Sequence, residues 1–334
     1  MKTKNILLVG LLLFLLSCII FVIALFIDEF KFSAFKEELI EKSYEIDEEF
    51  NSINADLKEA DLNIFISKDN KNKIVCFEKE KTNFNVEVVD GVLEIKENME
   101  YKFSLFNFTD AKVIIYLNND SYNNLNINSD TGDILIQDVN FNNITILADT
   151  SDISILVDVK EKLEIKVSTG DILINSANIN NLSLSSSTGD QFIKNCTISE
   201  TSNFTISTGD IDIVDTSFDG SVTVNGGTSD IEIENVTCKD ISLKVSTGDC
   251  EFTNLISEGD LAVNTSTGDV ELESTDAKNI YITTSTGDII GTILTNKCFD
   301  VESNTGKQRY PESYTGGICK LTSDTGDIII SYKK

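Results

Sequence analysis

Leu125-Asn126-Ile127-Asn128-Ser129-Asp130-Thr131-Gly132-Asp133-Ile134-Leu135-Ile136 decides how the chain is read. Leu125 and Ile127 alternate with polar residues, and alternation resumes at Ile134 and Ile136 with its parity changed. Period-two alternation is the pattern of a strand with one face inward. A parity change across Gly132-Asp133 marks a corner between two strands.

The Thr-Gly-Asp unit returns with spacings of 19 or 20 residues, its copies ending at Asp133, Asp152, Asp171, Asp190, Asp210, Asp230, Asp249, Asp269, Asp288, Lys307 and Asp327. Fixed-period self-similarity of this length is the signature of a solenoid built of stacked coils. Counting back from each Asp, the residues eight and six earlier are nearly always apolar, as in Ile144 and Ile146, Leu163 and Ile165, or Ile280 and Ile282. The residue two earlier is Thr in all eleven copies. Counting forward, the first and third residues are usually apolar, as in Ile172 and Ile174 or Ile231 and Ile233. A further pair six and eight residues on, such as Val139 and Phe141 or Cys196 and Ile198, points to a third short side. The fold expected is all-β, a parallel β-helix of about eleven coils and roughly 50 Å length at ~4.8 Å per coil. Nothing in the repeat has the 3.6-residue period of a helical solenoid.

Each residue of the unit has a local role in this scheme. Gly supplies a positive φ at the corner, and Asp can accept hydrogen bonds from nearby backbone N–H groups. Ser151 and Ser229 replace the Gly in two copies, at a cost on the order of 1 kcal/mol. The Thr file would set hydroxyls above one another, each bonding to the next. Asp133, Asp152, Asp171, Asp190, Asp210, Asp230, Asp249, Asp269, Asp288 and Asp327 would form a column of carboxylates. Neighbours repel by ~0.9 kcal/mol even in bulk water, which makes the column a weak candidate for Ca²⁺ or Mg²⁺. Tight Ca²⁺ sites gather six to eight oxygens, and the Gly-Gly-x-Gly-x-Asp repeat of calcium-binding β-rolls is absent.

Composition excludes several functions. The 334 residues carry 55 acidic and 27 basic side chains, a net charge of −28, with Arg309 as the sole arginine. No basic face exists for nucleic acid. The lack of His removes the commonest general base and the usual Zn²⁺ ligand. Cys196, Cys238, Cys250 and Cys319 fall at inward repeat positions, where Cys acts as a small hydrophobe; no two share a position in adjacent coils, so no disulfide is expected. Polysaccharide-degrading β-helices build clefts from long loops, whereas these coils are nearly equal in length. Only the stretch Lys307 to Ser323, with Arg309, Tyr310, Pro311, Tyr314 and Gly316-Gly317, breaks the pattern. No catalytic residue and no cofactor is assigned.

Outside the repeats, residues 1–5 carry Lys2 and Lys4, and Ile6 to Ile27 holds no charge. As a helix of about 33 Å, residues 6–27 are long enough to cross a bilayer. Lysines before and Asp28-Glu29 after predict a cytoplasmic N-terminus and an extracytoplasmic remainder. Leu15-Leu16-Ser17-Cys18 also resembles a lipoprotein cleavage box, although Ile19 to Ile27 stays apolar beyond it. Residues 28–50, acidic and without Gly or Pro, read as a juxtamembrane helix or stalk. Residues 51–124 show strand patterns without the tripeptide and would form irregular coils capping the repeat solenoid of 125–334. Asp90-Gly91 reads as a hairpin turn. At the far end, Ile328-Ile329-Ile330 would lie on an open edge, either guarded by Lys333 and Lys334 or docking another copy.

The strand Val113-Ile114-Ile115-Tyr116-Leu117, the stretch from Leu125 to Ile136 and its echoes resemble the bacterial putative-adhesin family of β-strand-repeat domains, which includes Lia-type cell-envelope proteins. The resemblance spans roughly Ile53 to Lys334, and departs where Asn118 stands in place of a Pro common after the first strand. It implies a membrane-attached, extracytoplasmic β-solenoid with no catalytic residues. The function expected is a non-enzymatic binding or scaffold protein of the cell envelope, an adhesin among the possibilities, with envelope polymers or membrane proteins as partners. An accessory role in an envelope-stress response is the alternative, and a polysaccharide-active enzyme the distant one.

Overall fold

The computed structural model describes residues 39–79, 82–99 and 111–333, and every regular element among them is a β-strand. The anchor expected at residues 6–27 lies outside the described residues; within them no helix is long and apolar enough to cross a membrane.

From Ser121 onward each coil repeats one itinerary. Up to Thr253 a strand ends at the Thr of the tripeptide, Gly-Asp (Ser-Asp in two copies) turns the corner, and a four-residue strand follows. Ser121–Thr131, Asn140–Thr150, Val159–Thr169 and Asn178–Thr188 stack as parallel neighbours in one sheet. Ile134–Gln137, Ile153–Leu156, Ile172–Asn175 and Gln191–Lys194 stack in the other. Equivalent residues lie in register, Leu125 on Ile144 on Leu163 on Leu182 and Ile136 on Ile155 on Ile174 on Ile193. In the middle coils the third side is a separate two-residue strand, Thr197–Ile198, Ser217–Phe218 and Thr237–Cys238. The first coil of 20 residues places its extra residue between Ile198 and Ser202, since Ile179 pairs with Ile198 but Leu182 pairs with Ser202.

The inward files form one continuous core, from Ile53 and Leu62 to Leu321 and Ile330. Gln191 interrupts it at an Ile position. It is fully buried, with Nε2 donating to Ser186 Oγ at 2.8 Å and to the Thr205 carbonyl at 3.0 Å. The second corner lies five residues after the column Asp, where Asp138, Ser176, Asn195, Asp215, Asn235, Asn254 and Ser274 have φ between 49° and 65°. Asn, Asp and Ser tolerate this left-handed conformation because their short polar side chains bond locally.

Both ends stack out of chain order. Ser52–Leu57 lies between Val92–Met99 and Ser121–Thr131, and Asp61–Ile66 between Lys112–Leu117 and Ile134–Gln137. The first complete coil is therefore second in space. Beyond it, antiparallel strands close the stack: Asn72–Glu78 on Lys112–Leu117, Ile40–Ile46 on Asn72–Glu78, and Thr82–Val89 on Val92–Met99. Asp90 and Gly91, with φ of 50° and 78°, make the expected hairpin turn. The stretch read as helix or stalk is corrected over Ile40–Ile46, an edge strand in which Lys42 pairs with Glu78 at 2.5 Å and Tyr44 donates to the Phe84 carbonyl at 3.4 Å. Its alternation was masked because an edge strand keeps charged residues on its exposed face.

At the other end Gly317–Thr325 lies between Val270–Thr286 and Lys297–Ser303, and Ile328–Tyr332 between Ile289–Ile293 and Gln308–Arg309. The expected open edge at Ile328 to Ile330 is thus corrected: the last coil in sequence is penultimate in space, and the Lys307 coil is the terminal one. Phe299 and Val301, which stand in core files, are only partly buried there.

Candidate functional site

The Thr-Gly-Asp corner is fixed from both sides. Gly170 donates its amide to the Thr188 carbonyl at 3.0 Å, and Ile172 donates to the Asp190 carbonyl at 2.9 Å. Gly189 illustrates why glycine stands here: its φ is 116°, and a Cβ would meet the Gly170 carbonyl oxygen at 2.2 Å. Coils this close leave no room for a side chain in the left-handed region. Ser151 and Ser229 avoid the positive φ and turn inward instead, leaving buried hydroxyls without a partner.

Asp forms the ladder. The Oδ1 of each carboxylate accepts the backbone N–H of the Asp one coil on: Asp152 donates to Asp133 at 3.2 Å, Asp171 to Asp152 at 2.9 Å, Asp190 to Asp171 at 2.8 Å and Asp210 to Asp190 at 2.8 Å. Asp230, Asp249, Asp269 and Asp288 continue it at 2.7 to 3.0 Å. Asp327 then donates to Asp288 and Lys307 to Asp327, each at 2.7 Å. The ladder begins one coil earlier than the tripeptide, where Asp133 donates to Asp61 at 3.0 Å. A hydrogen bond to a charged acceptor contributes about 1.5–3 kcal/mol, which offsets part of the repulsion between neighbouring carboxylates. Lys112 occupies the Asp register at one end and Lys307 at the other, where it lies 3.9 Å from Asp327.

All ten candidate cation-binding aspartates fall in this single file. No group of three or more Cys, Asp or Glu side chains converges in a metal-binding arrangement among the described residues. The Thr file is in register as expected, from Thr131 to Thr325. The expected hydroxyl-to-hydroxyl bonds are corrected: among the described residues the file is tied by backbone bonds, and Thr131 Oγ1 donates to the Lys58 carbonyl at 3.1 Å.

The sequence reading missed the outward file two residues beyond each corner. Leu135, Ser154, Leu173 and Phe192 stand in register, followed by Asp212, Glu232, Glu251 and Glu271, then Ile290, Ile329 and Arg309. One sheet face is therefore apolar near the cap and acidic further on. Asp212 is pushed above the usual carboxylate range by burial, then by Glu232, Asp210 and Asp190. Glu251 is raised by burial, then by Glu271, Glu232, Asp249 and Asp230. The opposite face is rich in Ser, Thr and Asn, with Asn143 bonded to Asn124 at 3.2 Å and Asn126 to Asn54 at 2.9 Å. On it Lys162 and Lys166 hold Glu164 down to about 2.

Cys76, Cys196, Cys238, Cys250 and Cys319 are buried free thiols and Cys298 is half-buried. Burial pushes Cys76, Cys250 and Cys319 up to about 12 and Cys238 to about 11. Such thiols are inert as nucleophiles. The irregular stretch from Lys307 is the terminal coil and its return; Tyr310 packs on Phe299 with ring centroids 5.5 Å apart. Two hollows are shallow: one of about 390 Å³ over Asn128, Leu147, Lys166 and Ser185, the other of about 420 Å³ at the cap between Glu45, Phe50, Lys71 and Asn118.

No functionally curated protein matches the chain. Among solved structures it is similar to a putative adhesin from Bacteroides fragilis at 13% identity and a TM-score of 0.34, with 89% of this chain and 99% of that one covered. A putative lipid binding protein from Parabacteroides distasonis gives 12% identity, a TM-score of 0.34 and the same coverage. A putative adhesin from Parabacteroides merdae gives 15% and 0.30, over 89% and 98% of the two chains. At these values nothing those proteins bind carries over. The sequence itself matches the Toastrack DUF4097 family over residues 50–226 and 215–334, which take in the carboxylate column, both out-of-order ends and the cap except its edge strand Ile40–Ile46, and the chain belongs to that family.

Proposed function

We propose that the chain is a non-enzymatic surface protein of the cell envelope, held in the membrane by residues 6–27 with its solenoid outside, and that it binds or scaffolds envelope components along its long faces. The observation that carries this reading is the outward file running from Leu135 through Phe192 to Asp212, Glu232, Glu251 and Glu271. It is a regular, extended face without a cleft, suited to repetitive contact with a polymer or another protein rather than to enclosing a small substrate. The absence of His and the raised, buried thiols weigh against nucleophilic or acid–base chemistry. The net charge of −28 disfavours nucleic acid and anionic polymers.

An accessory role in an envelope-stress response is the second reading. Its support is the same extended, cleft-free face, through which the chain would act on other membrane proteins. Both readings are tested on the full chain in its native membrane. Resistance to alkaline extraction, together with external protease digestion of the solenoid, is the expected result; a protein released by alkali, or protected until the cells are lysed, would overturn the topology. Retention on isolated envelope polymers that falls on replacing Asp212, Glu232, Glu251 and Glu271 by amides would support direct binding. Unchanged retention would remove this face from the account.

A further inference from the structure

The last coil of the sequence is an insert. Gly317–Thr325 and Ile328–Tyr332 fill a level whose neighbours on both sides, Val270–Thr286 with Ile289–Ile293 and Lys297–Ser303 with Gln308–Arg309, precede them in the chain. The chain passes this level, builds the terminal coil, and returns through residues 310–316, where Tyr310 is 39% and Tyr314 89% exposed.

One side chain crosses the inserted level. Lys297, in the terminal coil, is paired in register with Gly317. Its Nζ reaches Asp276 Oδ1 at 2.5 Å and also bonds Thr295 Oγ1. Asp276 belongs to Val270–Thr286, the strand on the far side of the insert. Lys297 is 2% and Asp276 7% exposed. Gly317 adds no side chain between them, and a Cβ there would meet the Lys278 carbonyl oxygen at 1.6 Å. Removing one partner of a buried ion pair strands a charge in the interior, whereas replacing both by apolar groups is often tolerated.

We propose that Lys297–Asp276 is a latch that closes the terminal coil over the inserted one, and that residues 297–332 open together as a single unit while the coils before them stay closed. Local opening in contiguous cooperative blocks is a general property of folded chains, and stacked repeats couple only to their neighbours. The latch matters because it joins two coils that are not neighbours. Without it, the insert is held by its strand pairing and by side-chain bonds to the flanking levels, such as Ser323 Oγ to the Gly287 carbonyl.

Hydrogen exchange of the full-length protein tests this. Lys297→Met or Asp276→Asn should speed exchange across 297–309 and 317–332 at least tenfold and leave the coils from Asp133 to Asp249 unchanged. The double variant Lys297→Met/Asp276→Leu should return the block to within about threefold of wild type. A rise spread evenly over all coils, or none at 317–332, would overturn the proposal. If the single variants do not fold, wild type decides: the hydrogen-bonded amides of 297–303 and 317–332 must exchange with one common rate, and fraying residue by residue from Tyr332 inward would contradict it.

Discussion

The amide of Asp327 donates to the Asp288 carboxylate at 2.7 Å across 39 positions, whereas the ladder bonds from Asp152 to Asp288 join residues 19 or 20 apart. The carboxylate column thus follows space rather than sequence. Lys307, which lacks a carboxylate, closes it because no further coil follows to donate an N–H.

If the column Asp acts as an acceptor, Asp190→Ala should destabilise the chain by about 1–3 kcal/mol by leaving the Asp210 amide unpaired. Asp190→Asn keeps an amide oxygen in place and should cost less than half as much. Denaturant midpoints at constant m-value check this, and equal losses would show that charge rather than acceptance is what the site needs.

Gly189→Ala forces a Cβ onto the Gly170 carbonyl oxygen at positive φ and should cost at least about 2 kcal/mol. Ser151→Gly removes a buried, unpartnered hydroxyl and should be neutral or stabilising by up to about 1 kcal/mol. Thermal melts of the two variants should move in opposite directions or differ by several degrees.

The acidic face predicts an inverted pH dependence. Asp212 and Glu251 have folded pKa values raised above their ordinary 3.8 and 4.5, so the folded state binds more protons than the unfolded one. Their contribution therefore falls as pH rises from those ordinary values through the raised ones. Glu251→Gln should raise Tm at pH 7 and change it little at pH 4. Glu164, held down to about 2 by Lys162 and Lys166, has the opposite sign. Its stabilisation is present above 4.5 and lost as pH falls towards 2, so Glu164→Gln should lower Tm at neutral pH and leave it unchanged near pH 2.

Among the described thiols, Cys298 should react first with a maleimide under native conditions. The other five, buried in the core, should react only on unfolding. Mass spectrometry after timed labelling gives the order, and early labelling of Cys250 or Cys319 would contradict the packing.

Much of this was legible in the residues. Thr131-Gly132-Asp133 and its copies gave the period, the inward files and the corner, because stacking in register forces every coil to repeat the same solution. Asp61 was hidden: Glu59-Ala60-Asp61 keeps the ladder's acceptor without Thr or Gly before it. The second corner was visible as Asn, Asp or Ser five residues past the column, but a left-handed turn without Gly carries a weaker mark. The order of the ends could not be read, since neighbouring coils share one pattern and any of them fits between any others. Lys307 was the clue, the copy in which Asp is missing.

Disulfide trapping tests the stacking most directly. Thr283 lies in register with Thr322, which is in turn in register with Glu302 on the next level out. Equivalent residues of adjacent coils fall within disulfide range and those two levels apart do not. Oxidation should therefore close Thr283→Cys/Thr322→Cys within one chain and leave Thr283→Cys/Glu302→Cys open. A crosslink in the second variant and none in the first would mean that the coils stack in chain order, and would contradict the account.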